Sequence, residues 1–203
     1  MIFYTADMHF GYEPILELAQ RPFTSIEEMR EVLIANWNER VSDDDHVYIL
    51  GDVGLAKGPV DLESVSRLKG HKHLIRGNHD TGLDNQEDWY QYLESVDDFL
   101  EIDDGDTHIL MSHYPMIYNL RGYMIHGHMH NTLGSAYDML KQLPRVLNCG
   151  VDVNNYVPVT LEELIANNER FYADPSLGVE RRPGKRIPGR NVKPDFRPLP
   201  KKP

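Results

Sequence analysis

The chain has 203 residues, 40% of them hydrophobic, and a formal net charge of −11. That length fits one domain of ordinary size with a tail and excludes two full domains. Apolar runs only a handful of residues long, and an Asp and a His inside the opening MIFYTADMHF, exclude a membrane span and a signal peptide and predict a cytoplasmic protein; the single cysteine, Cys149, excludes an internal disulfide framework.

In chain order, IFYT (2–5) has the composition of a first strand. After Thr24, Ser25 and Glu28 resemble a capping box, and Ile26, Met29, Leu33, Trp37 and Val41 recur at the spacing of an amphipathic helix. Further strands are predicted at HVYIL (46–50), HLIR (73–76), FLEI (99–102), HILM (108–111), YMI (123–125) and RVLN (145–148). Helices are predicted at 61–69, 86–95 and 161–172, the last opened by Thr160 and Glu163 as a second capping box. FLEIDDGDTHILM reads as a hairpin turning at Asp104 and Gly105, so an α/β chain with a mixed sheet system is expected.

Regular patterning stops near Asp174, which predicts a domain over 1–173 and an extended or disordered basic, proline-rich tail over 174–203. Residues 180–203 hold six of the thirteen prolines and nine Lys or Arg against Glu180 and Asp195, a surplus of +7 that leaves −18 for residues 1–179. The acidic body should repel a polyanion unless local cations reverse the field, whereas the tail could tether nucleic acid or another anionic partner.

Donor side chains follow nearly every predicted strand: Asp7 and His9, then Asp52, then Asn78, His79 and Asp80, then His113, then His128 and His130. In α/β sheets the loops leaving adjacent strands converge at that carboxyl edge, so these residues are expected to share one crevice. Aspartate, histidine and an asparagine amide, without thiolate, suit borderline to hard divalent ions. Nine donors exceed one ion, and with one bridging carboxylate seven residues can hold two ions roughly 3.5–4 Å apart.

The order DMH (7–9), GD (51–52), GNHD (77–80), SHYP (112–115) and GHMH (127–130) resembles the motif set of the calcineurin-like metallophosphoesterases, and DMHFGYEPI with RPF (21–23) is similar to a small bacterial and phage branch of that family. The chain departs from that branch at Tyr12, where a histidine is expected. The resemblance implies an α/β fold made of a four-layer sandwich of two mixed β-sheets flanked by helices. It also implies two divalent ions, Mn²⁺ first, with Fe²⁺, Zn²⁺ and Ni²⁺ as alternatives. Asp7, His9, Asp52 and His130 would hold one ion and Asp52, Asn78, His113 and His128 the other, with Asp52 as the bridge. His79 would be the general acid, oriented by Asp80; for Asp80 a helix cap or turn is the competing role. His126 fits no ligand position and is expected to be structural.

A hydroxide between the ions would attack phosphorus in line with the leaving alkoxide, and two divalent ions against Asp7 and Asp52 give the site a formal +2. The expected activity is hydrolysis of a phosphodiester, with a phosphomonoester as an alternative, in a small-molecule or nucleotide substrate. The rival readings are a nuclease acting on DNA or RNA and a non-catalytic interaction scaffold on the same fold. His46, His71, His73 and His108 lie outside the motifs and are expected to have ordinary surface or packing roles, and VDVNNYVPVT (151–160) is expected to close the fold without a chemical role.

Overall fold

Alternation along the first strands decides the architecture. In β1 (Ile2–Thr5), Phe3 faces one apolar cluster and Tyr4 another; in β2 (His46–Ile49) Val47 and Ile49 join the first cluster while Leu50 joins the second, and in β3 (His71–Ile75) Leu74 and Ile75 divide the same way. A sheet with buried residues on both faces must be covered on both. In this computed structural model, which describes residues 1–54, 60–117 and 122–180, one face packs on α2 (Ile26–Arg40) through Met29, Leu33, Ile34 and Trp37. The other face shares its core with Ile109, Met111, Ile125 and Leu147 of a second sheet.

The first sheet has the order β1-β2-β3-β4, with β4 at Ser95–Asp97, and all its strands run parallel. The second comprises β5 (Phe99–Asp104), β6 (Thr107–Ser112), β7 (Gly122–His126) and β9 (Val146–Asn148), in which only the β5–β6 pair is antiparallel. The expectation of two mixed sheets is therefore corrected for the first: β1 to β4 are joined by crossovers long enough to return the chain to the same edge, which is the connection parallel strands require. The expected hairpin is present, with Gly105 at φ +60° in its turn.

Short elements complete the molecule: α1 (Pro14–Leu18), α3 (Leu62–Ser66), α4 (Ser135–Leu140), α5 (Leu161–Ala173) and the parallel pair β8 (Thr132–Leu133) and β10 (Val179–Glu180). The chain is thus α/β, with several sheets flanked by helices. Residues 174–180, assigned above to the tail, form a 3-10 turn and β10; the rest of that tail, 181–203, lies outside the described residues. Among the described residues no helix is long and apolar enough to cross a membrane.

Local chemistry explains where helices begin. Ser25 Oγ accepts from the Glu28 N–H at 3.1 Å, but the Glu28 carboxylate returns to the Thr24 N–H at 2.7 Å, one residue earlier than a capping box would have it. At α5 the reciprocal box between Thr160 and Glu163 is complete. The helix predicted over 86–95 does not form. Gln86 is pinned to both backbone groups of Val60, at 2.7 and 3.0 Å, and Glu94 N–H joins the sheet at Lys72 O, so only one 3-10 turn, Trp89–Gln91, fits between.

Trp37 is 1% exposed, and its Nε1 donates to Lys69 O at 3.0 Å, joining α2 to the turn before β3. Trp37→Ala is expected to lower unfolding stability by about 3–5 kcal/mol, the cost of emptying a large aromatic site. Urea unfolding at matched m-values measures it, and a loss below about 1 kcal/mol would contradict this assignment of the core.

Candidate metal centre

The carboxyl edges of both sheets meet. Asp7 N–H donates to Gly51 O and His9 N–H to Asp52 O, each at 2.9 Å, which locks the loop after β1 to the loop after β2. His128 N–H donates to Asp7 Oδ1 at 3.0 Å, tying the loop after β7 to the same point. Gly127 is required by that approach: a Cβ there would lie 2.7 Å from Ala6 Cβ and 2.8 Å from Leu50 O.

The donors also bend the backbone. Among the described residues eight non-glycine positions have positive φ, and five of them are Asp7, His9, Asp52, His128 and His130. Left-handed backbone costs a non-glycine residue roughly 1–3 kcal/mol, so strain is concentrated where the donors gather and the surrounding hydrogen bonds hold it in place.

Three groups of donor atoms result, each within 4.8 Å of one another: Asp7, His9 and His130; His9, Asp52 and His79; and Asp52, His113 and His128. His9 is shared by the first two groups and Asp52 by the last two, with Asp52 Oδ2 at 3.5 Å from His113 Nε2, 3.7 Å from His9 Nε2 and 4.0 Å from His79 Nε2. Asn78 Oδ1 stands 3.0 Å and His128 Nδ1 3.2 Å from His113 Nε2. All nine residues named from the sequence are therefore at this edge.

The second contacts of the imidazoles set their tautomers. His9 Nδ1 faces Gly54 O at 3.3 Å, His113 Nδ1 faces Leu50 O at 2.8 Å and His130 Nδ1 faces Asp152 Oδ2 at 2.8 Å. Each partner accepts only, so Nδ1 carries the proton and the Nε2 lone pair is left for the site, the usual support of a metal-binding histidine. Asp7 Oδ2 and His9 Nε2 are buried and have no hydrogen-bond partner. Orphaned buried atoms cost about 1–3 kcal/mol each, and coordination to a cation would satisfy both. The donor set fits divalent ions on these grounds.

Charge is arranged to match. Burial raises the Asp7 carboxyl, with His130 and His113 working against the rise. Burial and the neighbouring His130 hold His9 well below its ordinary value, and burial with His113 brings His128 down to about 4, so both are neutral imidazoles at neutral pH. For His130 burial is outweighed by Asp7 and Asp152, which raise it. A cation bound beside it would compete with that proton.

Two supports were not assigned a role from the sequence. Asp152, in the segment expected to carry none, has a buried side chain that holds both His130 and Arg21; burial would raise its carboxyl, but Arg21 and His130 keep it well below the carboxylate range. Arg21 donates from Nη2 to Asp7 O at 2.6 Å and from Nη1 to Met8 O at 3.0 Å, bracing the strained turn after β1. The RPF stretch drew attention to Arg21, but nothing in the sequence pairs it with an aspartate 131 residues away.

Asp80 is corrected. It makes no hydrogen bond to the His79 ring; its Oδ2 accepts from the N–H groups of Asp52 and Gly77, both at 2.8 Å, and Oδ1 from Val53 N–H at 3.0 Å. A carboxylate beside three free amides is drawn to them rather than across to an imidazole. Asp80 therefore positions Asp52, which is a form of the turn role weighed against the catalytic one. His79 instead stands edge-on to His9, ring centroids 4.7 Å apart, and 5.4 Å from Tyr12, with Nδ1 unpartnered.

A cavity of about 390 Å³ opens over these groups, lined by His9, Tyr12, Asp52, His79, His128 and His130, with Val179 and Glu180 of β10 also in its wall. Tyr114 lies outside it against the His128 ring at 4.7 Å, and Arg76 is turned away in an exposed pair with Asp84 at 2.6 Å. His126 is fully buried with Nδ1 toward Gly127 O at 2.7 Å, in keeping with a structural role.

No protein-family model matches the chain. It is 32% identical over 169 residues to the uncharacterized protein MJ1445 of Methanocaldococcus jannaschii, covering 81% of this chain and 89% of that one. It is 29% identical over 161 residues to the Gene 66 protein of Mycobacterium phage L5, covering 64% of this chain and 77% of the phage protein. In fold it is similar to AQ665, a protein of unknown function from Aquifex aeolicus, with a TM-score of 0.63 at 24% identity over 80% of this chain and 96% of that one. Identity and coverage at the level seen with the archaeal protein place this chain in the same protein family as MJ1445.

Proposed function

We propose that the chain is a metal-dependent phosphoesterase of the calcineurin-like type, built as a four-layer sandwich of helices, two sheets and helices. The observation that carries this reading is the pair of donor groups joined through Asp52, with the orphaned Asp7 Oδ2 and His9 Nε2 beside a cavity. Asp7, His9, Asp52 and His130 would hold one ion and Asp52, Asn78, His113 and His128 a second, with Mn²⁺ the first choice. Bound there, such ions lower the pKa of a coordinated water toward about 7 and neutralise charge on phosphoryl oxygens.

The chain's own residues supply the rest. Asp80 and the Gly77 backbone fix Asp52, and Arg21 with Asp152 fixes Asp7 and His130. His79, in the cavity wall beside Asp52, is placed to give a proton to the departing oxygen, and Tyr12 beside it shapes the space for the leaving group.

A cavity of about 390 Å³ suits a nucleotide or small phosphodiester. A longer nucleic acid would need cations beyond the acidic body, and residues 181–203, nine Lys or Arg against Asp195, follow directly on Glu180 in the cavity wall.

Metal-stripped protein is expected to regain hydrolysis of bis-p-nitrophenyl phosphate on addition of Mn²⁺. His79→Ala should lower kcat by about 10²–10⁴ with metal still bound, and Asp52→Asn should abolish turnover. Turnover only on p-nitrophenyl phosphate would make the protein a monoesterase, and turnover unchanged by chelation would overturn the metal-dependent reading. Asp152→Asn, which weakens the hold on His130 and leaves Arg21 without its charge partner, should weaken Mn²⁺ binding by about 10–100-fold while saturating metal restores most of kcat; unchanged affinity in a titration would remove Asp152 from the support of the centre.

A further inference from the structure

Three histidines assigned to ordinary surface roles gather at the opposite edge of the first sheet. β2 and β3 pair in parallel with His46 beside His71 and Tyr48 beside His73, which stacks the imidazoles: ring centroids are 4.8 Å apart for His46 and His71 and 5.3 Å for His46 and His73. Glu94 completes the group. Its N–H donates to Lys72 O at 2.8 Å, so the start of β4 presents its carboxylate to the same spot, one oxygen hydrogen-bonded to His71 Nδ1 and the other 4.0 Å from His73 Nε2.

We propose that His46, His73 and Glu94, with His71 beside them, form a second cation site, separate from the catalytic centre, that takes a borderline divalent ion of the Zn²⁺ class. One ligand atom from each of His46, His73 and Glu94 lies within 4.8 Å of the others. His46 Nδ1 and His73 Nε2 face each other at 3.0 Å. His73 is oriented from behind, its Nδ1 3.2 Å from Ser95 Oγ and its ring stacked on Tyr48 at 4.8 Å, so its Nε2 points at the cluster. Two nitrogens bound at 2.0–2.1 Å to one tetrahedral ion stand roughly 3.3 Å apart, within a few tenths of an ångström of the separation already present. Imidazole with one carboxylate and no thiolate is the donor set of Zn²⁺, Co²⁺ or Ni²⁺ rather than Mg²⁺ or Ca²⁺.

The backbone makes the site a staple. The three ligands come from β2, β3 and the residue leading into β4, and β2 and β3 run from this edge to Asp52 and Asn78 at the other. An ion here binds the folded sheet and not the open chain, so it should stabilise the fold without touching the catalytic groups.

The test is Zn²⁺ binding to the full-length protein, followed by the ¹⁵N shifts of the histidine ring nitrogens and by stoichiometry in equilibrium dialysis. His46 and His73 are expected to shift on Zn²⁺ addition, and His46→Ala and, separately, Glu94→Gln are expected to lose one equivalent while Mn²⁺-dependent phosphodiester hydrolysis stays within about twofold of wild type. His46 is exposed, so its truncation leaves the core intact. Equal stoichiometry in wild type and both variants, or histidine shifts that respond to pH but not to Zn²⁺, would overturn the proposal and leave a proton-sharing surface cluster.

Discussion

Two carboxylates, Asp7 and Asp52, are buried to 2% exposure or less at one sheet edge, and most of the surrounding structure answers the cost of putting them there. A carboxylate taken out of water needs hydrogen bonds or a counter-charge. Asp52 Oδ1 accepts from His79 N–H at 2.8 Å and Asp7 Oδ1 from His128 N–H at 3.0 Å, but Asp7 Oδ2 has no partner of its own. The compensation stops one charge short of completion on the side where the imidazole lone pairs converge. Donors held in left-handed backbone around an incompletely paired carboxylate form a candidate cation site whose strain is offset by the protein scaffold in advance.

That arrangement separates the residues that would touch an ion from those that fix their position. Arg21 and Asp152 form a fully buried pair, with Nε to Oδ1 at 2.8 Å, that reaches His130 on one side and the Asp7 and Met8 carbonyls on the other. Such a pair contributes little net stability by itself, yet breaking it leaves an uncompensated buried charge. Its value lies in geometry. The same holds for Asp80, which gathers the amides of Asp52, Val53 and Gly77 and so fixes the loops after β2 and β3 to each other.

Much of this was legible in the residue order. Strand ends could be read because apolar runs stop abruptly at Asp, Asn or His, and the parallel order of β1, β2 and β3 then carries Asp7, Asp52 and Asn78 to one edge. Capping residues gave the starts of α2 and α5. What could not be read depends on tertiary partners. The 86–95 segment has helical composition, but Gln86 is bound to Val60 and Glu94 to the sheet. Asp80 looked like a companion of His79 because the two are adjacent in sequence; its amide partners come mainly from the loop after β2. The contact of Asp152 with His130, and the separate grouping of His46, His71 and His73, arise from pairings that no local pattern encodes.

In the proposed centre Asp52 would join two ion positions. Electron paramagnetic resonance of the metal-stripped protein reloaded with Mn²⁺ addresses it directly. The exchange-coupled spectrum of a Mn²⁺ pair is expected at two equivalents per chain, collapsing to an isolated-ion spectrum in Asp52→Asn. An isolated-ion spectrum in the wild-type protein at every loading would contradict it.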